Sequence, residues 1–168
     1  MPEIDKIIKD FYGKLPKFDD GRIDYHTSDT APVITVFIEC AGRILLLKRS
    51  NKVGNYRKKW STVTGYLDEL KPIKEKALEE LSEEIAVSAT DIEKLYFGRL
   101  QKVEDGKINK TWIIQPALAK LNKKPEIKLD FEHTEYKWID PNELSKYDID
   151  IELDKTFALV KKYFDHNL

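Results

Sequence analysis

The stretch GYLDELKPIKEKALEELSEEIAV, which runs from Gly65 to Val87, contains the clearest amphipathic helix of the chain. Pro72 suits the first position of a helix, and we predict that this helix runs past Ala86, with its end near Ser88 or Ala89. Alanine rarely adopts the left-handed conformation in which many helices end, so Ala86 should not end this helix. At about 100° per residue, one side forms an apolar stripe that faces the core. The stripe consists of Leu78, Leu81 and Ile85.

The opposite side of this helix is acidic. Glu80 lies three and four residues before Glu83 and Glu84, so that like charges sit one turn apart and repel each other. Hard divalent cations such as Mg²⁺ bind through carboxylates and keep several waters. The pattern is therefore compatible with a Mg²⁺ or Mn²⁺ site, although taken alone it more often marks an acidic face that solvent simply screens.

Strands are predicted on both sides of the helix. Two apolar runs, Val33–Cys40 and Arg43–Lys48, are joined by Ala41-Gly42, which suits a two-residue hairpin. Further strands are predicted at 95–103, 108–118 and 135–139, and a last helix at 151–164. Because strands and helices do not alternate regularly, we predict an α+β fold, with a mixed sheet that carries helices on its faces.

The first 31 residues are predicted to form an N-terminal extension with a short helix, and residues 32–168 the main domain. The helix carries apolar residues that either pack on its own domain or support a homodimer. They are Ile4, Ile7, Ile8 and Phe11.

Composition narrows the function classes. The chain has 168 residues, 41% of them hydrophobic, and a formal net charge of -1, so no global field attracts it to nucleic acid or to an anionic membrane. No segment is long and apolar enough to predict a membrane span. Cys40 is the single cysteine, which favours a reducing, cytoplasmic setting.

The stretch from Gly65 to Val87 resembles the Nudix box, which reads Gly, five residues, Glu, seven residues, Arg-Glu, apolar, any, Glu-Glu, any, Gly, apolar. The resemblance covers about Pro32 to Phe164 and includes Trp60 and the segment before Ile139. It implies the Nudix fold, an α/β/α sandwich. The matching box positions are Gly65, Glu80, Leu81, Glu83, Glu84 and Val87.

The resemblance also implies residue roles. Glu80 and Glu84 would be the main ligands of Mg²⁺ or Mn²⁺, Glu83 a ligand or water-orienting group, and Thr64 a ligand through its carbonyl. Glu132 is the candidate for an additional catalytic carboxylate, with Glu135 second, although both could be ordinary charges at a strand edge.

Three box positions depart from the family pattern. Lys71 stands for the first Glu, Glu79 for Arg, and Ala86 for the final Gly. Lys71 and Glu79 could be a reciprocal exchange of charge that keeps an ion pair. They could also be unrelated substitutions at exposed positions, where an ion pair contributes little, and we slightly favour this second interpretation. Since Lys71 replaces a carboxylate, it would repel metal and attract substrate phosphates.

A basic loop precedes Trp60. Its candidate substrate-binding residues are Arg49, Arg57 and Lys59, which could hold phosphates unless the loop is merely solvated.

Base stacking is expected from about one of four aromatic residues, the others being core or strand surface. The four are Tyr56, Tyr66, Phe97 and Trp112.

The three histidines show no metal-ligand spacing and are predicted to be hydrogen-bonded or exposed. They are His26, His133 and His166.

These features lead to two hypotheses. The first is a metal-dependent pyrophosphohydrolase that cleaves a nucleoside diphosphate linked to another group. The second is a catalytically impaired nucleotide-binding or regulatory module with the same fold. Isopentenyl diphosphate isomerase also has this fold, but its expected His and Cys ligands are not placed in this sequence.

Overall fold

A mixed β-sheet forms the centre of the chain in a computed structural model, which describes residues 2–164. His166, one of the three histidines considered above, lies outside that range. The strands are β1 (Thr30–Cys40), β2 (Arg43–Arg49), β3 (Trp60–Ser61), β4 (Val63–Tyr66), β5 (Ile92–Phe97), β6 (Gln101–Asp105), β7 (Lys110–Leu121) and β8 (His133–Ile139).

The two longest strands, β1 and β7, lie side by side and parallel, with Thr30 to Glu39 opposite Thr111 to Lys120. The other pairings are antiparallel. β4 and β2 pair with β1, β6 and β5 pair with β7, and β8 and β3 extend the sheet from β2. One parallel pair among antiparallel neighbours makes the sheet mixed, which confirms the α+β prediction.

Helices cover both faces of the sheet. The helices are α1 (Glu3–Lys14), α2 (Ile73–Ile85), α3 (Leu153–Ala158) and α4 (Lys161–Phe164), and short 3₁₀ turns occupy Ala89–Asp91 and Pro141–Lys146. Leu81 of α2 packs in the same cluster as Val36 and Ile38, whereas Phe37 points to the other face and packs with Phe157 of α3. The α/β/α sandwich is therefore confirmed. Because β1 is buried on both faces, it is a continuous apolar run and does not alternate.

The predicted hairpin between β1 and β2 is confirmed. Cys40 pairs with Arg43, and both turn residues have positive φ angles, 50° at Ala41 and 79° at Gly42. Those angles are typical of the type I′ turn that matches the twist of the two strands.

Two predicted elements are wrong because the chain breaks inside each of them. The strand expected over 95–103 is divided into β5 and β6, and the helix expected over 151–164 is divided into α3 and α4. The breaks meet in space: a Cβ at Gly98 would lie 2.8 Å from the carbonyl oxygen of Leu159. This close approach requires a residue without a side chain and places the second break beside the first.

The predicted end of α2 is also wrong. The helix ends at Ile85, and Ala86 has the left-handed conformation, with φ 59° and ψ 32°. That conformation costs a non-Gly residue about 1 kcal/mol, but it turns Val87 into the core, where it is completely buried. It also lets Val87 N–H donate to the Leu81 carbonyl (3.2 Å), while Lys128 N–H donates to that of Ile85 (3.2 Å). Burial and these hydrogen bonds offset the strain.

The N-terminal helix packs on its own domain. Ile4 and Ile8 of α1 are buried in the cluster that contains Leu81 and Ile85 of α2. The apolar residues that could have supported a homodimer are thus largely covered within the chain. Among residues 2–164, no helix has the length and apolar character needed to cross a membrane.

Candidate active site

A cavity of about 700 Å³ opens between α2, β4, the loop after β2 and the loop before β8. Seven of the predicted site residues line it: Arg49, Thr64, Tyr66, Glu80, Glu83, Glu84 and Glu132. Arg57, Lys59 and Lys71 are not among the lining residues found in the described part of the chain. All the predicted catalytic carboxylates therefore line the cavity, but Arg49 is the one predicted cationic residue that is found among the lining residues in the described part of the chain.

Helix α2 presents Glu80 and Glu84 to the end of β4. A Cβ at Gly65 would overlap the Glu80 carboxyl group, so this carboxyl requires a glycine at position 65. Thr64 N–H donates to Glu84 Oε2 at 3.2 Å. Both glutamates are buried, while Glu83 is exposed at the cavity wall. All three thus share one face that lines the cavity, but the alternative of a solvated acidic face is wrong for Glu80 and Glu84.

Lys76 is a site residue that the sequence analysis missed. Its side chain is only 9% exposed, and its Nζ lies 3.1 Å from Glu80 Oε1 and 3.5 Å from Asp68 Oδ1. Burial alone would lower the pKa of Lys76, but the Glu80 and Asp68 carboxylates raise it, so the ammonium stays charged. The available signal was its position four residues before Glu80, on the same side of the helix.

Burial and the neighbouring carboxylates raise the pKa values of Glu80 and Glu84. Burial is the main cause that raises the pKa of Glu80 to about 7, opposed by Lys76 and reinforced by Glu83 and Glu132. The pKa of Glu84 is raised well above its ordinary value, first by burial and then by its hydrogen bond to Glu132. Glu84 therefore requires a compensating cation in order to stay ionised at neutral pH, whereas Glu80 already has the Lys76 ammonium beside it.

Glu84, Glu132 and His133 form a cluster in which one ligand atom of each residue lies within 4.8 Å of the others. The side chain of His133 is 1% exposed, and its Nε2 has no hydrogen-bond partner in the described part of the chain. Burial lowers the pKa of His133, against the effect of Asp130. His133 is therefore hydrogen-bonded through Nδ1, as predicted, but within the described residues its Nε2 is not. His26, by contrast, is exposed as predicted.

The loop before β8 holds this cluster against α2. Asp130 N–H donates to the Glu84 carbonyl at 3.2 Å. Asp130 Oδ1 accepts the Glu132 N–H and lies 3.1 Å from His133 Nδ1. Ser50 N–H donates to the Glu132 carbonyl at 2.8 Å. The backbone thus fixes Glu132 and His133 beside the end of α2.

The predicted cationic residues have different partners. Arg49 donates from Nε and Nη2 to the Asn55 carbonyl while it lines the cavity. Arg57 Nε donates to the Val53 carbonyl, and Lys59 pairs with Asp148 at 2.6 Å. Lys71 Nζ lies 3.0 Å from Glu79 Oε2 and 3.2 Å from Glu69 Oε2. The two box departures therefore form an ion pair, as the interpretation of a reciprocal exchange predicts.

Three of the four candidate aromatic residues line the cavity. Trp112 Nε1 donates to Tyr56 Oη, which in turn donates to Asp105 Oδ2, each at 2.9 Å. The ring of Tyr66 lies 6.1 Å from that of Trp112 and is partly exposed. Phe131, which the sequence analysis did not consider, also lines the cavity and is 65% exposed. These rings supply an aromatic part of the cavity lining.

Comparisons with known proteins agree with this architecture. The family model described as NUDIX domain matches residues 29–160. Nucleoside triphosphatase NudI of Escherichia coli (strain SE11) is 24% identical over 132 residues, which are 76% of this chain and 94% of that protein.

Among solved structures, a MutT NUDIX hydrolase from Burkholderia pseudomallei is similar, with a TM-score of 0.66 and 20% identity over 78% of this chain and 98% of that chain. The NUDIX domain of Shewanella oneidensis NrtR, complexed with ADP ribose, has a TM-score of 0.64 and 12% identity over 97% of this chain and 99% of that chain.

Proposed function

Since the chain belongs to the NUDIX family of hydrolases, which act on phosphoric anhydride bonds, we propose that it cleaves a nucleoside diphosphate linked to another group, with Mg²⁺ or Mn²⁺ as cofactor. The observation that carries the proposal is the convergence of Glu80, Glu84 and Glu132 on one cavity of about 700 Å³. A nucleoside triphosphate, in which the second group is phosphate, is one substrate of this class, and NudI is named for such an activity.

The carboxylates fit a divalent cation. Glu84 is 3% exposed and, like Glu132, forms no ion pair with a lysine or arginine in residues 2–164. Two adjacent carboxylates without a cation repel each other, which supports a site for a hard dication. Glu84 and Glu132 would hold it, Thr64 N–H keeps one Glu84 oxygen in place, and Glu80, paired with Lys76, lies beside them.

When bound, the cation neutralises the diphosphate charge and lowers the pKa of a nearby water so that it can attack phosphorus. The chain itself supplies the remaining parts. Glu83 stands exposed at the cavity wall, where its carboxylate can orient this water. Arg49 uses two of its five N–H groups on Asn55, which leaves others available to phosphate oxygens. Tyr66 offers a partly exposed ring for a base.

A substrate screen with matched variants tests this proposal. The purified chain is incubated with Mg²⁺ or Mn²⁺ and with nucleoside triphosphates, ADP-ribose, nucleotide sugars or dinucleoside polyphosphates, and phosphate is measured after phosphatase treatment. We expect turnover of at least one compound and a loss of at least about 100-fold, or about 2.7 kcal/mol, in Glu84→Gln.

Glu75→Gln is the control, because Glu75 is exposed on the same helix and does not line the cavity. It should retain full turnover. Metal-independent turnover, or equal turnover by the wild type and Glu84→Gln, would contradict the proposal.

One observation favours the nucleotide-binding module as a second candidate. Lys76 already neutralises Glu80, and Lys71 stands at a family carboxylate position, where it pairs with Glu79. A site with fewer free carboxylates can bind a nucleotide without hydrolysing it. Binding of ADP-ribose in calorimetry, with the same compound recovered intact after prolonged incubation with Mn²⁺, would support this alternative.

A further inference from the structure

The proposed hydrolysis does not use the buried ring nitrogen of His133. We propose that His133, Glu84 and Glu132 form a mixed nitrogen and oxygen site that prefers a transition-metal dication, such as Mn²⁺, Co²⁺ or Zn²⁺, over Mg²⁺. The inference rests on the proposed function for the location of the cation, and it adds which residue selects the metal.

The first support is an unsatisfied atom. His133 Nε2 is buried, and it has no hydrogen-bond partner within residues 2–164. A buried polar atom that makes no hydrogen bond is costly, and native proteins contain few of them. A ring nitrogen of His133 lies within 4.8 Å of a carboxylate oxygen of Glu84 and of Glu132. A cation between these three groups would provide the missing partner.

The second support is the orientation of the ring. His133 Nδ1 lies 3.1 Å from Asp130 Oδ1, an oxygen that also accepts the Glu132 N–H. The hydrogen bond to a carboxylate places the proton on Nδ1, so Nε2 carries a free lone pair. Metal-binding histidines usually donate their other ring N–H to a carboxylate in this way, which fixes the tautomer and increases ligand basicity.

The third support is the chemistry of the donor set. Two carboxylates and a neutral imidazole balance the charge of one dication. Imidazole nitrogen suits Mn²⁺, Co²⁺ and Zn²⁺, whereas Mg²⁺ takes oxygen ligands and dehydrates reluctantly. Glu132 faces the cavity. Because the set supplies three protein ligands, positions remain for water or a phosphate oxygen, as in catalytic metal sites.

Metal titrations without substrate test the inference. The metal-free chain is titrated with Co²⁺, whose visible absorption reports its ligands, and with Mg²⁺ by calorimetry. His133→Gln should weaken Co²⁺ binding by about 10- to 100-fold and Mg²⁺ binding by less than about twofold. His26→Gln, at an exposed histidine, is the control and should leave both affinities unchanged.

A second measurement on the wild type avoids dependence on the folding of the variant. Long-range ¹H–¹⁵N spectra report both ring nitrogens of His133, and Zn²⁺ should shift the Nε2 resonance while Nδ1 stays protonated. The inference would be overturned if the Nε2 resonance did not shift on saturation with Zn²⁺. Equal Co²⁺ affinities in the wild type and His133→Gln would overturn it as well.

The outcome is separable from that of the proposed function. Co²⁺ binding that depends on His133, without turnover of any compound, would reject the hydrolase and retain the site. Turnover with Mg²⁺ in His133→Gln at the wild-type rate, together with unchanged Co²⁺ affinity, would reject the site and retain the hydrolase.

Discussion

Glu80 and Glu84 lie one helical turn apart, and both are buried, but the chain surrounds them differently. Glu80 has the Lys76 ammonium 3.1 Å away. Glu84 has a carboxylate neighbour in Glu132 and a His133 nitrogen that has no hydrogen-bond partner in the described part of the chain. The difference teaches that the chain compensates one end of its acidic cluster with its own cation and, among residues 2–164, supplies no lysine or arginine partner at the other end.

The largest expected effect comes from removal of the internal cation. Lys76→Gln leaves Glu80 and Asp68 without their buried partner, and at pH 8 this should lower the free energy of unfolding of the metal-free chain by about 3 kcal/mol. Mn²⁺ should restore part of the loss and bind with one additional equivalent, measured by denaturant unfolding and calorimetry.

Lys74→Gln is the matched control, since Lys74 is exposed on the same helix. It should change stability by less than about 0.5 kcal/mol. If Lys76→Gln were as stable as the wild type, or if Mn²⁺ restored none of the loss, the two ends of the cluster would not differ as described.

The pH dependence of stability isolates the Glu80 end. Because burial raises its folded-state pKa from 4.5 to about 7, the folded chain binds a proton that the unfolded chain releases between these pH values. The Glu80 contribution to the free energy of unfolding is therefore constant below about pH 4.5 and falls as pH rises to 7, by up to about 1.4 kcal/mol per pH unit.

Denaturant unfolding of the wild type and Glu80→Gln from pH 4 to 8 measures this contribution as a difference. The profile of Glu80→Gln is subtracted because His133 also titrates in this range. Burial lowers the pKa of His133, so its contribution to the free energy of unfolding rises with pH. Parallel pH profiles for the two proteins would show that Glu80 has an ordinary pKa.

Gly65→Ala perturbs the Glu80 end alone. The new Cβ would overlap the Glu80 carboxyl group, which is the far end of a flexible side chain and can move. We expect a stability loss of about 1 kcal/mol and about a 10-fold loss of turnover. Gly54 lines the same cavity, and a Cβ at this position would meet no atom within 4 Å. Gly54→Ala should therefore change neither stability nor turnover. Equal turnover in the two variants would contradict the position of Glu80.

The smallest effect is expected just after Glu84, at the helix end. Ala86→Gly removes the strain of the left-handed conformation and should raise the free energy of unfolding by up to about 1 kcal/mol. Ser82→Gly, at an exposed helical position, should lower it by about 0.5 kcal/mol. Metal affinity should not change in either variant, and a loss of stability in Ala86→Gly would contradict the observed backbone.

Periodicity and spacing predicted most of the long strands, the hairpin and the helix that carries the glutamates, because these depend on local patterns. Lys76 and His133 escaped prediction for a physical reason. A lysine and a histidine are usually solvated, and only tertiary packing buries Lys76 among Glu80 and Asp68 or brings the loop at His133 against α2. The conformation of Ala86 likewise follows from burial of Val87, which overrides the local preference of alanine.

Anomalous diffraction from crystals of the chain grown with Mn²⁺ compares the two ends in one measurement. We predict a Mn²⁺ peak in contact with Glu84, Glu132 and His133 Nε2, with the Lys76 ammonium still beside Glu80. A peak between Glu80 and a displaced Lys76, with Glu84 and Glu132 unligated, would contradict this account.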